Sequence, residues 1–226
     1  MAQDWTSAQD WTRAKVFVFD VEGTLVDAVM PTLHCWRKTL LAFGHDIPLD
    51  ALHRLTGLDG KLMLAQLLPG TSEPDRKTMI KQQGARYRDE FLPQVKPFPG
   101  VRALFDELKR RGRGIALATD CQKDELRHYL DITGVGGLVD AFACGDDVAC
   151  GKPAPDLIRL ALERIDAAGK RSVMVGDTVF DAEAARNAGI AAVGVLTGRI
   201  AEDALRAAGC DAVLSDVTAL RAALPR

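Results

Sequence analysis

Lys15-Val16-Phe17-Val18-Phe19 runs directly into Asp20-Val21-Glu22-Gly23-Thr24-Leu25-Val26-Asp27. An unbroken run of β-branched and aromatic residues without polar alternation predicts a short strand buried on both faces, as in parallel sheets. The strand ends on an acid, skips one residue, meets a second acid and turns at Gly23-Thr24. Two carboxyl groups are thereby delivered to one edge of a sheet. Taken alone, this pattern also fits an ordinary strand-to-turn transition.

Further along the chain, Gly114–Thr119, Ala141–Cys144, Ser172–Asp177 and Ala191–Leu196 read as buried strands, each short and followed by a turn. Ala212–Leu214 is a candidate edge strand before a last helix. Helical stripes lie between them: Val101, Leu104, Phe105 and Leu108, then Leu157, Ile158, Ala161 and Ile165. Strands alternating with helices predict an α/β fold with a doubly wound, mostly parallel, Rossmann-like sheet.

The pattern changes between Asp27 and Pro97. Leu33, Trp36, Leu40 and Phe43 form one helical stripe and Ile80, Tyr87 and Phe91 another. Leu52, Leu55, Leu62, Leu64, Leu67 and Leu68 fall in shorter helices between them, and no strand pattern interrupts the stretch. This predicts an inserted all-helical cap over 28–93, closed by Pro93 and Pro97-Phe98-Pro99-Gly100. The α/β core is then 15–27 and 94–226. Residues 1–14 read as an N-terminal tail, with a short duplication of Ala2-Gln3-Asp4-Trp5-Thr6 as Ala8-Gln9-Asp10-Trp11-Thr12. It is read as a loose end, with a small docking element as the alternative.

The chain has 226 residues, 47% of them hydrophobic and 27% charged, with a formal net charge of −2. That balance offers no general field for nucleic acid or anionic membrane. No apolar run approaches the roughly 20 residues needed to cross a bilayer. Asp4, Asp10 and Lys15 interrupt any secretory apolar segment. Five scattered cysteines, Cys35, Cys121, Cys144, Cys150 and Cys210, include no Cys-x-x-Cys pair. A reduced, cytoplasmic protein without disulfide or zinc site is expected. Oligomeric state is not readable.

Four separated elements carry the chemistry. They are Asp20/Glu22, Thr119, Lys152 in Gly151-Lys152-Pro153-Ala154-Pro155-Asp156, and Gly176-Asp177-Thr178-Val179-Phe180-Asp181. In an open α/β sheet ligands bind at the carboxyl ends of strands, where Asp20, Thr119 and Asp177 converge. A carboxylate attacks phosphorus only when its own charge and that of the phosphate are neutralised. A hard divalent cation on Asp20 and Asp177 does so, and oxygen ligands suit Mg²⁺. Lys152 adds a compact positive charge and Thr119 a hydroxyl donor.

These four elements, in this order from Lys15 onward, resemble the signatures of the haloacid dehalogenase superfamily, and in particular its phosphoglycolate-phosphatase-like group with a C1 helical cap. The resemblance implies that Asp20 is a nucleophile forming an aspartyl phosphate. Glu22 stands where the general acid/base stands, with its backbone carbonyl as a metal ligand, and Asp181 supports the metal or Lys152. Gly23 and Thr24 of the first signature are candidate substrate contacts. The usual first signature is Asp-x-Asp-Gly-Thr, so Glu22 is a departure. In the superfamily, phosphatases and mutases usually carry Asp at this position, dehalogenases a bulky non-acidic residue and phosphonoacetaldehyde hydrolases a small one, whereas Glu22 keeps an ionisable group. Glu22 argues against the last two.

A second departure is Asp120-Cys121, where many relatives have Asn or Ser. Asp120 is a candidate substrate neighbour, but a helix N-cap before Gln122-Lys123-Asp124-Glu125-Leu126 is the favoured role. Cys121 reads as a packing residue, with reactivity as the alternative. The resemblance also makes the cap loop Arg54–Lys61 a substrate selector, with Arg54 and Lys61 placed to touch an anionic substrate; a solvated helix connection is the alternative. Trp36 reads as core, whereas His34 either lines the cleft or faces water. The expected function is Mg²⁺-dependent hydrolysis of a small phosphorylated metabolite. A sugar-phosphate mutase and a catalytically impaired phosphate-binding regulator are the alternatives.

Overall fold

The computed structural model describes residues 10–167 and 171–225. Six strands form one sheet: β1 (Val16–Phe19), β2 (Gly114–Ala118), β3 (Ala141–Ala143), β4 (Ser172–Gly176), β5 (Ala191–Val195) and β6 (Ala212–Leu214). The order is β3-β2-β1-β4-β5-β6 and every pairing is parallel. All four residues of β1 are buried, because parallel neighbours pair on both its edges and helices cover both its faces. The β6 edge strand is present.

The chain leaves β1 towards β2 on one side and returns to β4 on the other. This reversal opens a crevice at the carboxyl ends of the three central strands. Phe19 is level with Leu117 of β2 and Val175 of β4. Asp20 follows β1 directly, Thr119 follows β2 and Asp177 follows β4, so the ends of these three strands set all three at the same rim.

The chain divides into two compact units, one of residues up to Asp27 and from Lys96 onward, the other Ala28–Val95. The second is all helix: α1 (Val29–Ala42), α2 (Leu49–His53), α3 (Gly60–Leu67) and α4 (Glu73–Arg86), the last continuing into a π-helical turn, Tyr87–Phe91. Leu33, Trp36, Leu40, Leu52, Leu64 and Met79 pack into its own core. The Asp59 carboxylate caps α3 by accepting from the backbone of Lys61 at 2.9 Å, and Arg86 donates to Thr39 at 2.7 Å to join α4 to α1. Leu62 is an exception to the apolar pattern. It lies in α3 but is half exposed.

In the first unit, α5 (Val101–Arg110) buries Val101, Leu104, Phe105 and Leu108, the stripe read from the sequence. Phe105 meets Phe19 of β1 with ring centroids 5.0 Å apart. Beyond it lie α6 (Lys123–Thr133), α7 (Asp156–Arg164), α8 (Val179–Ala188), α9 (Glu202–Ala208) and α10 (Val217–Ala223). No helix among the described residues is long and apolar enough to cross a membrane.

The expectation of a tail over 1–14 is corrected at its inner end. Asp10–Arg13 form a 3-10 turn that buries Trp11 to 3% exposure and Ala14 completely. An indole removed from water outweighs the ordering of one short turn. The first copy of the duplication, Ala2–Thr6, lies outside the described residues. Trp11→Ala is expected to cost about 3 kcal/mol in urea unfolding, whereas an unchanged midpoint would show the turn to be loose.

After β3 the chain turns through Gly145–Asp147 towards Lys152, and this turn is clamped from the end of α7. Arg164 donates from Nη1 and Nη2 to the two carboxylate oxygens of Asp147, each at 2.9 Å, and Nη1 also reaches the Phe142 carbonyl. The guanidinium holds the Asp147 carboxyl well below the usual carboxylate range, against the opposing effect of partial burial. A depressed folded pKa stabilises above the unfolded value near 4 and the stabilisation is lost as pH falls towards the folded value. Arg164→Ala is therefore expected to destabilise by about 1 kcal/mol at pH 7, the exposed side of the pair being screened. In urea titrations the gap should narrow steadily below about pH 4; a gap as wide at pH 3 as at pH 7 would contradict this role.

Candidate active site

Lys152 is the only described cation at the centre of an acidic cluster, and it is 2% exposed. Its Nζ donates to Asp20 Oδ1 at 2.5 Å and to Asp181 Oδ1 at 2.8 Å, with Asp120 Oδ2 at 3.5 Å. Burial pulls an ammonium towards neutrality, but Asp181, Asp20 and Asp120 more than reverse this and hold Lys152 well above an ordinary lysine. The cation is thus fixed by three strand-end segments that are remote in sequence.

Asp177 is fully buried in the same acidic cluster as Asp20. Thr24 donates its hydroxyl to Asp177 Oδ1 at 2.8 Å. Thr24 was expected to touch substrate, but its hydroxyl is fully buried and engaged by Asp177. Gly23 has a φ of +84°, and a Cβ there would come within 2.3 Å of Asp177 Oδ2. Its glycine identity therefore serves the left-handed turn and the close approach to Asp177. Asp181 accepts from the backbone and hydroxyl of Thr178 through Oδ2, at 3.0 and 2.7 Å, in a capping box at the start of α8. That bond leaves Oδ1 turned to Lys152.

Asp20, Asp177 and Asp181 each present a carboxylate oxygen within 4.8 Å of the others. One ammonium cannot neutralise them. Burial, opposed by Lys152 and assisted by Asp181, pushes the Asp20 carboxyl up to about 8. Burial and then the charges of Asp20 and Asp181 hold Asp177 well above the carboxylate range. No described residue donates to Asp177 Oδ2, although that oxygen is buried. An orphaned buried oxygen in a cluster of hard oxygen donors fits a hard divalent cation.

Glu22 is half-buried and its side chain is engaged outside this triad. Its Oε1 accepts from the Tyr129 hydroxyl of α6 at 2.8 Å. Burial, with the Glu125 charge adding, raises the Glu22 carboxyl to about 7. Thr119 is 1% exposed just after β2, and its Oγ1 accepts a long, 3.4 Å bond from the Cys121 backbone.

The chain matches the model of the haloacid dehalogenase-like hydrolases over residues 17–195. It belongs to that family. A probable phosphatase, IndB, of Dickeya dadantii is 32% identical over 84% of this chain and 85% of that protein. A phosphoglycolate phosphatase of Agrobacterium fabrum is 31% identical over 80% of each chain. A solved hydrolase of Pseudomonas syringae superposes with a TM-score of 0.85 at 27% identity, covering 91% of this chain and 95% of its own. Within the haloacid dehalogenase-like hydrolases this chain is an enzyme of the phosphatase kind, similar to the phosphoglycolate phosphatases.

Asp120 does not take the helix-capping role that its sequence context favours. It is not the N-cap of α6, since Gln122 occupies that position in a capping box with Glu125. Asp120 Oδ1 instead accepts from the Lys152 backbone at 3.1 Å, so it fixes the loop that carries the lysine. A backbone donor delivered from a loop 32 residues on displaces the local capping preference. Cys121 is buried, and burial together with the Glu22 charge raises its thiol well above the usual value, as befits a packing residue. Arg54 and Lys61 belong to the second unit. Both are exposed, and Arg54 at the C-terminal end of α2 pairs with Asp50 of its first turn at 3.3 Å. His34 is also exposed, and Trp36 is core.

Residues that local patterns do not reveal also line the hydrolase site. Thr197 donates its hydroxyl to the Gly23 carbonyl at 2.5 Å, and Gly198 lies so close that a Cβ would meet Asp177 Oδ2 at 1.9 Å. The sequence signal for both was only a Thr-Gly pair after β5. Gly198 does not have a positive φ, so alanine suits its backbone and only the clash remains. Gly198→Ala is expected to lose about 1–3 kcal/mol in urea unfolding. Wild-type stability would show that Asp177 is not held against this loop.

Proposed function

We propose that the protein is a Mg²⁺-dependent phosphomonoester hydrolase that acts on a small phosphorylated metabolite through an aspartyl phosphate on Asp20. The observation that supports this most is the placement of Asp20 at the end of β1. There it is bonded to Lys152 and grouped with Asp177 and Asp181. The names of its phosphatase relatives support the same chemistry.

Asp20, Asp177 and Asp181, with the Glu22 backbone carbonyl, are the proposed Mg²⁺ ligands. A bound Mg²⁺ supplies the positive charge that lets two anions meet. Asp20 attacks phosphorus, the bond from phosphorus to the ester oxygen breaks, and Glu22 gives its proton to the departing alkoxide. Thr119 donates to a phosphate oxygen, while Lys152 keeps Asp20 oriented and offsets charge. Water then attacks the phosphorus of the aspartyl phosphate and passes its proton to the Glu22 carboxylate. The bond to Asp20 breaks, inorganic phosphate leaves, and both acids return to their starting forms. A Glu22 carboxyl raised to about 7 suits donation in the first step and acceptance in the second near neutral pH.

The exposed cations Arg54 and Lys61 are the proposed selectors of an anionic or polyhydroxy leaving group. Gly23, whose turn borders Asp177, is proposed as a neighbour of the substrate. Five free cysteines, all unpaired, accord with action in a reducing cytoplasm.

Hydrolysis of p-nitrophenyl phosphate should require Mg²⁺ and be lost on chelation. Asp20→Asn should reduce it by more than about 10³-fold with the fold intact. A wild-type protein that releases no phosphate from this ester or from a broad panel of phosphorylated metabolites would overturn the proposal.

A further inference from the structure

Glu22 lies at the position where the first signature usually carries the shorter acid, and a longer side chain places its carboxyl differently. Tyr129 is the residue that meets it. The tyrosine is 1% exposed and is among the largest fully buried side chains of the protein. It sits on α6, whose start is fixed by the Gln122/Glu125 capping box and whose Lys123 backbone donates to Asp146 at 2.8 Å. A buried aromatic ring on a capped helix has little freedom, so its hydroxyl is a fixed point. That point is 2.8 Å from Glu22 Oε1.

The match depends on length. Shortening residue 22 by one methylene retracts the carboxyl by roughly 1.5 Å. The oxygen would then fall outside hydrogen-bond range of the Tyr129 hydroxyl. Conversely, a glutamate without Tyr129 has one more free torsion than aspartate and no fixed donor to choose its rotamer. Each residue supplies what the other needs, across 107 positions of sequence.

We infer that Tyr129 is a positioning residue of this hydrolase. Its hydroxyl pins the Glu22 carboxyl where it can exchange a proton with the ester oxygen and with water, and thereby makes a glutamate work in place of the shorter acid. The inference rests on the phosphatase reading above. Glu125, also buried and on the same face of α6, borders this pair, so α6 as a whole supplies the setting of Glu22.

The test is a four-member cycle of wild type, Tyr129→Phe, Glu22→Asp and the double variant, assayed with p-nitrophenyl phosphate and Mg²⁺. Phenylalanine keeps the buried ring, and melting curves check that each variant is folded. Tyr129→Phe should lower kcat about 10- to 100-fold while leaving KM within about twofold, as for a displaced reacting group. In the Glu22→Asp background the same change should move kcat by less than about twofold, because the aspartate cannot reach the hydroxyl. A folded Tyr129→Phe with wild-type kcat overturns the inference and leaves the phosphatase reading standing. An equal loss of kcat in both backgrounds also overturns it, since the effect then does not pass through Glu22. A wild type without turnover overturns both.

Discussion

The bond network of the buried Lys152 ammonium is the constraint on which the rest of the site depends. It joins the end of β1 through Asp20, the start of α8 through Asp181 and the segment after β2 through Asp120. A lysine this buried is tolerable only because carboxylates surround it, and the carboxylates are tolerable only because it is there. Removing one partner would leave the others with uncompensated charge. The site is therefore assembled as a unit, and the sheet order that places β2 and β4 beside β1 is what brings the partners together.

Lys152 does not complete the charge balance. Asp177, pressed between the Gly23 turn and the Gly198 loop, keeps one buried oxygen without a described donor. Thr24 and Thr197 add hydrogen bonds that hold those two segments against it, one to the carboxylate and one to the Gly23 carbonyl. Glycines pack closely around this acid, so its second oxygen is buried with no described cation beside it. The side of the crevice that carries α6 is built differently, with tyrosine, glutamate and cysteine packed about Glu22.

Much of this was legible in the sequence because strand ends are local events. The apolar run before Asp20, and the similar runs before Thr119 and Asp177, each announced a buried strand and the residue that would emerge at its end. The helical stripe through Leu33, Trp36 and Leu40 likewise marked an inserted helical unit. What the sequence hid depends on contacts between distant segments. Tyr129 reads as one aromatic residue on a helix until its hydroxyl is seen at Glu22. Asp120 obeyed a local capping rule on paper, yet its partner is a backbone amide on the Lys152 loop. Thr24 looked like part of a phosphate-binding turn, but its hydroxyl is turned inward to Asp177. Trp11 belonged to a polar, repetitive segment whose only strong signal was the indole itself.

The central claim is that Asp20, not water, is the first nucleophile at phosphorus. The stereochemical course of hydrolysis tests it most directly, using an ester whose phosphorus is made chiral with oxygen isotopes. Two successive in-line displacements, first by Asp20 and then by water, predict net retention of configuration at phosphorus. Net inversion would mean a single direct attack by water, and would contradict the account.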